Sequence, residues 1–237
     1  MKKLILFGCL CLAWACSTSG EAWLDEAKAR LKKGETVSAK EALEKAIEKN
    51  PGLAEAYNLQ GVILFQEKNY PEAEAAYRKA IELKPSLYTA QLNLGAVLME
   101  QGVWDKALAP TDKAIAAQPD SSAGYLQRGI IQAALAQPLK AKLDFTQAIK
   151  LAPKDINAYY NRGNILFQEE NFAGAIADFA KAAEINPNFG KAYYALGLSY
   201  IKAKQNDKAK HLDKTKRTTP GIPTWSPTVV LTGPDDA

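Results

Sequence analysis

Few residues in this chain have the chemistry for catalysis or metal binding. His211 is the single histidine, and no second or third group stands at a spacing that would complete a metal site or an acid–base pair with it. The sequence has no GxSxG, GxxxxGK[ST] or HExxH motif. Carboxylates stand in segments rich in glutamate and lysine, such as residues 41–45, where pairs four residues apart support a helix. These observations predict a protein that is not an enzyme and uses no metal or cofactor.

The three cysteines, Cys9, Cys11 and Cys16, fall in or directly after an apolar run near the N-terminus. This run covers residues 4–15 without a charge and follows two lysines. Such a layout is typical of a secretory signal peptide, and the run is shorter than the roughly 20 residues of a membrane-spanning helix. We therefore expect residues 1–15 to be a signal peptide, whose removal leaves no cysteine pair for a disulfide.

Residues 12–16, Leu-Ala-Trp-Ala-Cys, resemble the lipobox of bacterial lipoproteins, although Trp14 stands where that family generally has a small residue. The resemblance implies a lipid on Cys16 and a tether over residues 16–20. It also implies a membrane-anchored protein of the bacterial envelope that faces the periplasm, and Ser17 favours the outer membrane. Two alternatives stay open: ordinary cleavage at the same place, which leaves a free periplasmic protein, and a short uncleaved anchor.

The composition is close to that of an average soluble globular protein, with 47% hydrophobic and 24% charged residues. This apolar fraction is large enough to bury a core, which argues against disorder for most of the chain. The formal net charge is +4, and two of the positive charges are Lys2 and Lys3 of the expected signal peptide. So small an excess gives no reason to expect a nucleic acid partner.

A period of 34 residues organises the chain from Gly20 onward without an insertion or deletion. Small residues and prolines recur at fixed positions of each row. The eighth position holds Ala27, Gly61, Gly95, Gly129, Gly163 and Gly197, the twentieth holds alanine in all six rows, and the thirty-second holds proline in rows one to five. A period of this length predicts repeated helix pairs, for example over about 55–67 and 71–84 in row two.

The pattern resembles the tetratricopeptide repeat, which has this period and a large aromatic residue near the start of each row. That aromatic position, the fourth, holds Trp23, Tyr57, Tyr125, Tyr159 and Tyr193, with Gln91 as the exception. The resemblance implies an all-α fold, a right-handed α-solenoid of about six helix pairs. Its expected rows cover residues 20–53, 54–87, 88–121, 122–155, 156–189 and 190–216, the last being a partly polar cap.

Two segments depart from this pattern. Pro110 lies inside the second helix of row three and predicts a kink or a late start, because it lacks the N–H that would reach Lys106. Thr111 replaces an aromatic residue, so the junction of rows three and four is predicted to be the least stable point. Residues 217–237 form a proline-rich tail that either folds back onto the solenoid or remains disordered or captures a partner.

The first helix of each row turns one face away from its partner helix, and in a solenoid this face lines a concave groove. The groove is predicted to contain Asn58, Phe65, Leu92, Asn93, Met99, Leu126, Tyr160, Asn161, Asn164, Phe167 and Tyr194. Asparagine amides there can pair with a peptide backbone while aromatic and aliphatic residues supply burial. We expect Tyr160 and Phe167 to carry much of the binding energy and to lie outside the contacts that hold helices together.

Anchored tetratricopeptide proteins of this size resemble the pilotin lipoproteins of type IV pili and the lipoprotein adaptors that recruit cell-wall hydrolases. The resemblance implies a non-enzymatic protein–protein interaction scaffold, held at a membrane by its lipid, which binds a peptide or helix of an envelope partner in its groove. The alternative is a periplasmic solenoid that binds a small molecule or glycan.

Overall fold

A computed structural model of the protein describes residues 19–209 and 212. In this part of the chain every regular element is helical, and no strand occurs. The helices are α1 (Gly20–Lys32), α2 (Thr36–Lys49), α3 (Ala54–Gln66), α4 (Tyr70–Leu83), α5 (Tyr88–Glu100), α6 (Trp104–Ala117), α7 (Ser122–Ala134), α8 (Pro138–Leu151), α9 (Ile156–Gln168), α10 (Phe172–Ile185) and α11 (Gly190–Lys202). The predicted all-α class is confirmed, and the helices of row two lie within one residue of the predicted bounds.

The predicted signal peptide, Cys16, His211 and the tail over residues 217–237 all lie outside the described residues. The same holds for much of the second helix of row six, of which residues 206–209 and 212 are helical. No helix in the described part of the chain combines the length and apolar character that crossing a membrane requires.

The helices form two compact units, one ending at Pro85 and one beginning at Ser86. In the first unit, α1 packs on α2, α2 on α3, and α3 on α4. In the second unit, each helix from α5 to α11 packs on the next, and the first helices of successive rows also contact one another: α5 with α7, α7 with α9, and α9 with α11. These contacts place the first helices of rows three to six side by side.

The turn between the two helices of a row is the same in all six rows. Its central residue, at position 15, has a positive φ, and these residues are Gly34, Lys68, Gly102, Ala136, Glu170 and Lys204. The following N–H donates to a carbonyl five residues back, as from Asn69 to Leu64 at 2.9 Å. This hydrogen bond satisfies a carbonyl at the end of the first helix, so one backbone geometry ends every first helix and sets the start of the second.

In rows two, four and five, the glycine at position 8 is required by an aromatic ring of the partner helix. A β-carbon added at Gly129 would lie 2.6 Å from a ring carbon of Phe145, and one at Gly163 would lie 2.7 Å from Phe179. Phe145 and Phe179 are each only 1% exposed. The glycine therefore lets a large buried ring pack directly on the helix backbone.

Row three lacks this ring, and Gln127 of the next row takes its place. The Gln127 amide nitrogen donates to the Leu92 carbonyl oxygen at 3.0 Å and to the Thr111 hydroxyl at 3.3 Å. A β-carbon at Gly95 would collide with these same Gln127 and Thr111 side chains. A hydrogen-bonded amide thus fills space that an aromatic ring occupies in rows four and five.

Pro110 does not delay the start of its helix. Helix α6 has 14 residues, as do α8 and α10, and begins at the same position of its row. The predicted late start is therefore wrong, because the turn at Gly102 sets the start of α6. Beside the proline, the Thr111 hydroxyl donates to the Ala107 carbonyl oxygen at 2.8 Å, which gives that turn of the helix a side-chain hydrogen bond.

Candidate interaction surface

The first helices of the second unit share one face, formed by positions 5, 6, 9 and 12 of each row. We call this the first-helix face. Its predicted members are all half-buried: Leu92, Asn93, Met99, Leu126, Tyr160, Asn161, Asn164, Phe167 and Tyr194. Since α5, α7, α9 and α11 contact one another in order, these residues belong to a series of adjacent helices. Asn58 and Phe65, also half-buried, lie on α3 of the other unit.

Two of the three asparagines of α9 are available for hydrogen bonding. Asn161 and Asn164 are half-buried, and neither side-chain amide is engaged by a hydrogen bond from the described residues. They are three residues apart on one helix, which places their amides on the same side. Each amide offers both donors and an acceptor, the groups that an extended peptide backbone needs.

The two aromatic residues of α9 also stabilise the fold. The Tyr160 ring lies 5.7 Å from the Phe179 ring and 5.2 Å from the Phe189 ring, measured between centroids. The Phe167 ring lies 5.5 Å from Phe172 of the next helix. The expectation that both lie outside the helix–helix contacts is therefore wrong, because both rings pack on aromatic rings of row five and on the buried cluster that contains Leu196 of row six.

Leu126 also packs in the interior while part of its side chain belongs to the first-helix face. It packs with Ile130 and Ala133 against a buried cluster formed by Ala141, Phe145 and Ile165. Only part of its side chain remains on the surface. Leu126, Tyr160 and Phe167 of the first-helix face are thus held in place by packing beneath it, and fixed side chains lose little conformational entropy when a ligand binds.

Two partly buried ion pairs, which the sequence analysis did not predict, join the helices within rows four and five. Arg128 binds Asp144 through two hydrogen bonds of 2.7 and 2.8 Å, and Arg162 binds Asp178 through two of 2.8 and 2.7 Å. Both pairs link position 7 of a row to position 23. The repeated spacing of sixteen residues between arginine and aspartate is the signal that could have revealed them.

Each arginine also reaches the preceding row. Arg128 donates to Asp112 at 2.7 Å, and Arg162 donates to the Thr146 hydroxyl at 3.1 Å. The Asp178 hydrogen bonds raise the pKa of the Arg162 guanidinium above its usual value. Each arginine therefore links the two helices of its own row to the second helix of the preceding row.

Among the described residues, no group of three or more histidine, cysteine, aspartate or glutamate side chains could hold a metal ion. Salt bridges such as Lys84–Glu55, at 2.7 Å, are partly exposed and contribute little to stability.

Family models for the tetratricopeptide repeat match residues 24–88, 64–129, 156–189 and 179–211. The chain belongs to the tetratricopeptide repeat family. Proteins of this family are generally non-enzymatic scaffolds, and the fold supports protein–protein interaction. No curated protein sequence matches this chain significantly.

Several solved structures share the fold of this tetratricopeptide protein. PilF of Pseudomonas aeruginosa is 22% identical, with a TM-score of 0.75 over 85% of this chain and 92% of that one. PilW, described as a widely conserved type IV pilus biogenesis factor, is 17% identical, with a TM-score of 0.75 over 84% and 92%. YrrB, described as having an unusual peptide-binding site, is 28% identical, with a TM-score of 0.63 over 76% and 93%.

Proposed function

We propose that this tetratricopeptide protein is a lipid-anchored scaffold of the bacterial envelope that binds a peptide or helix of an envelope partner on its first-helix face. The observation that carries the proposal is the pair of unengaged amides at Asn161 and Asn164, set among the half-buried rings of Tyr160 and Phe167. An amide pair can hold a backbone in register while neighbouring rings bury its side chains.

The chemistry of the first-helix face favours a peptide ligand with apolar side chains. Its residues in rows three to six are aliphatic, aromatic or amide, and none carries a charge. The tetratricopeptide relatives that capture a C-terminal carboxylate need lysine or arginine at such positions. An internal segment of the partner, extended or helical, fits this face better than a chain terminus.

Two relatives support a peptide ligand and an envelope location. YrrB, the relative with a described peptide-binding site, shares the repeat fold over 76% of this chain. PilW is described as a pilus biogenesis factor, and pili are built at the cell envelope. A lipid on Cys16 would hold the scaffold at a membrane, facing the periplasm, where such a partner is found.

Site-specific crosslinking tests the binding surface. A photoreactive amino acid at Asn164, in the full-length protein in cells, should crosslink a discrete envelope protein, whereas the same group at the exposed Lys113 of α6 should not. The crosslinked segment is then synthesised as a peptide. Asn161→Ala with Asn164→Ala should weaken its binding about tenfold, since two hydrogen bonds together contribute about 1–3 kcal/mol.

Two results would contradict the proposal. Equal crosslinking from Asn164 and Lys113 would mean that contact is unspecific. Unchanged peptide affinity in the double asparagine variant would mean that the two amides do not contribute to binding of the partner. Because both asparagines are half-exposed, thermal unfolding of this variant should match the wild type, so that lost binding is not caused by lost structure.

A further inference from the structure

Helix α8 exposes two leucines that no neighbouring element covers. Leu139 is 68% exposed and Leu143 is 71% exposed, the largest exposures of any leucine among the described residues. They are four residues apart, so they lie one turn apart on the same side of the helix. Two large apolar side chains placed together on a surface raise the question of what binds them.

The equivalent positions of the neighbouring second helices hold no leucine. In α10 they are the exposed Ala173 and Ala177, and in α6 they are the exposed Asp105 and Ala109. The leucines are thus a feature of row four alone, and the repeat pattern does not require them. This surface also lies on second helices, apart from the first-helix face of the proposed function.

The free charges of α8 are all positive. Lys140 and Lys150 are exposed and have no salt-bridge partner among the described residues, and Lys150 falls three turns from Leu139, in line with the two leucines. Asp144, the only carboxylate of the helix, is buried and bound by Arg128. We call Leu139, Lys140, Leu143 and Lys150 the α8 outer face.

We propose that the α8 outer face is a second docking surface, which binds an amphipathic helix with acidic flanks from another protein. Two leucines one turn apart form a ridge that fits between the side chains of a facing helix. Glutamate or aspartate beside the apolar stripe of that helix would meet Lys140 and Lys150, and such complementary charges favour the correct partner.

Charge disfavours a second copy of the chain as the ligand of the α8 outer face, and the small apolar area disfavours a membrane. A second copy would bring lysine against lysine, because this face has no free carboxylate, and like charges across an interface oppose association. For a membrane, the two leucine side chains carry fewer carbons than one myristoyl chain, which alone gives only marginal membrane binding.

Peptide binding to the full-length protein tests this proposal. The probe is a fluorescein-labelled helical peptide with a leucine stripe flanked by glutamates, and its control carries lysine at every glutamate position. Fluorescence anisotropy should show the acidic peptide binding at least tenfold more tightly than the basic one. Leu139→Gln with Leu143→Gln should remove this binding, and Lys140→Glu with Lys150→Glu should reverse the preference between the peptides.

Two variants serve as controls. Val37→Gln changes a residue that is 74% exposed at the same repeat position in row one, and it should leave peptide binding unchanged. Asn161→Ala with Asn164→Ala should also leave it unchanged, because those residues belong to the first-helix face. A loss of binding in either control, or wild-type affinity in the leucine variant, would overturn the proposal.

Sedimentation tests whether a second copy of the chain binds the α8 outer face, and vesicle binding tests whether a membrane does. Wild-type self-association that the leucine variant abolishes would overturn the proposal in favour of a second copy. Binding to phosphatidylethanolamine–phosphatidylglycerol vesicles that depends on the leucines would overturn it in favour of a membrane. All of these results are independent of the crosslinking outcome at Asn164, so the two proposals can fail separately.

Discussion

The Arg162–Asp178 ion pair of row five occupies positions that hold an apolar contact in row six. Positions 7 and 23 hold this ion pair in row five, whereas they hold Leu196 and Leu212 in row six, both packed in one apolar cluster. Asp178 is 5% exposed, so its charge depends on the arginine for compensation. The comparison indicates that the repeat needs a filled contact there, of either kind.

Breaking this ion pair should therefore destabilise the fold more than replacing both residues with leucine. Asp178→Ala should lower the free energy of unfolding by about 2–4 kcal/mol, because it leaves a half-buried guanidinium without its carboxylate. Arg162→Leu with Asp178→Leu, which copies row six, should lie closer to the wild type than either single change. Urea denaturation measures both, and a double variant less stable than Asp178→Ala would contradict the argument.

Tyr77 makes stability depend on pH at the alkaline end. Its side chain is buried against Gly61, and burial raises the pKa of its hydroxyl well above the ordinary value of 10.0. In the unfolded chain the hydroxyl ionises near its ordinary pKa, while in the fold it stays neutral. Its contribution is thus complete below about pH 10 and is lost as the pH rises further.

Replacing the hydroxyl should remove this part of the pH dependence. Tyr77→Phe keeps the ring against Gly61 and should show a smaller fall in melting temperature between pH 9 and pH 11 than the wild type, on the order of 1 kcal/mol less destabilisation. Tyr193→Phe, at a half-buried tyrosine on the second unit, is the matched control. Identical pH profiles for wild type and Tyr77→Phe would refute the assignment.

At the scale of helices, Pro110 is the main irregularity that remains. Helix α6 runs through it from Trp104 to Ala117, so the amide hydrogen bond to Lys106 is absent inside an otherwise complete helix. Position 23, which Pro110 occupies, holds the ion-paired aspartates of rows four and five. Row three therefore lacks both a backbone hydrogen bond and the charged link between its helices.

Hydrogen exchange should reveal this weakness. Amides of α6 should exchange faster than those of α10, which has the same length and lies in the same unit. Pro110→Ala should slow exchange in α6 and raise the free energy of unfolding by about 1–3 kcal/mol, because it restores the amide and removes the ring clash. Equal protection of α6 and α10 in the wild type would show that Thr111 and Gln127 already compensate fully.

Helix positions were predictable from the sequence, whereas the partners of polar side chains were not. A strict 34-residue period fixes where each helix begins and ends, because one turn geometry recurs in every row. The hydrogen bonds of Gln127 connect rows three and four, and its partners depend on the space left by Thr111. Gln127 stands at position 6 of its row, and a pattern of positions within single rows does not reveal a contact with the preceding row.

Across the whole molecule, the same limit applies to the candidate site. Periodicity placed Asn161 and Asn164 on one helix face, and both side chains are half-exposed, because a helix face follows from spacing alone. It could not show that Tyr160 packs on Phe189, which follows the second helix of the same row. The exposed Leu139 and Leu143 were also missed, since a leucine in a repeat is ordinarily counted as core.

Where the protein works depends on Cys16, and one substitution tests the anchor. Cys16→Ser removes the only cysteine at the expected cleavage site, so the variant should move from the membrane fraction to the soluble periplasmic fraction. Cys11→Ser is the matched control, since it changes a cysteine inside the expected signal peptide and should leave the protein in the membrane fraction. Intact mass spectrometry of the wild type should show a lipid on an N-terminal cysteine.

A wild-type protein found in the soluble fraction would instead support ordinary cleavage. A Cys16→Ser variant that stays in the membrane with residues 1–15 attached would support an uncleaved anchor, because the apolar run would then be the attachment.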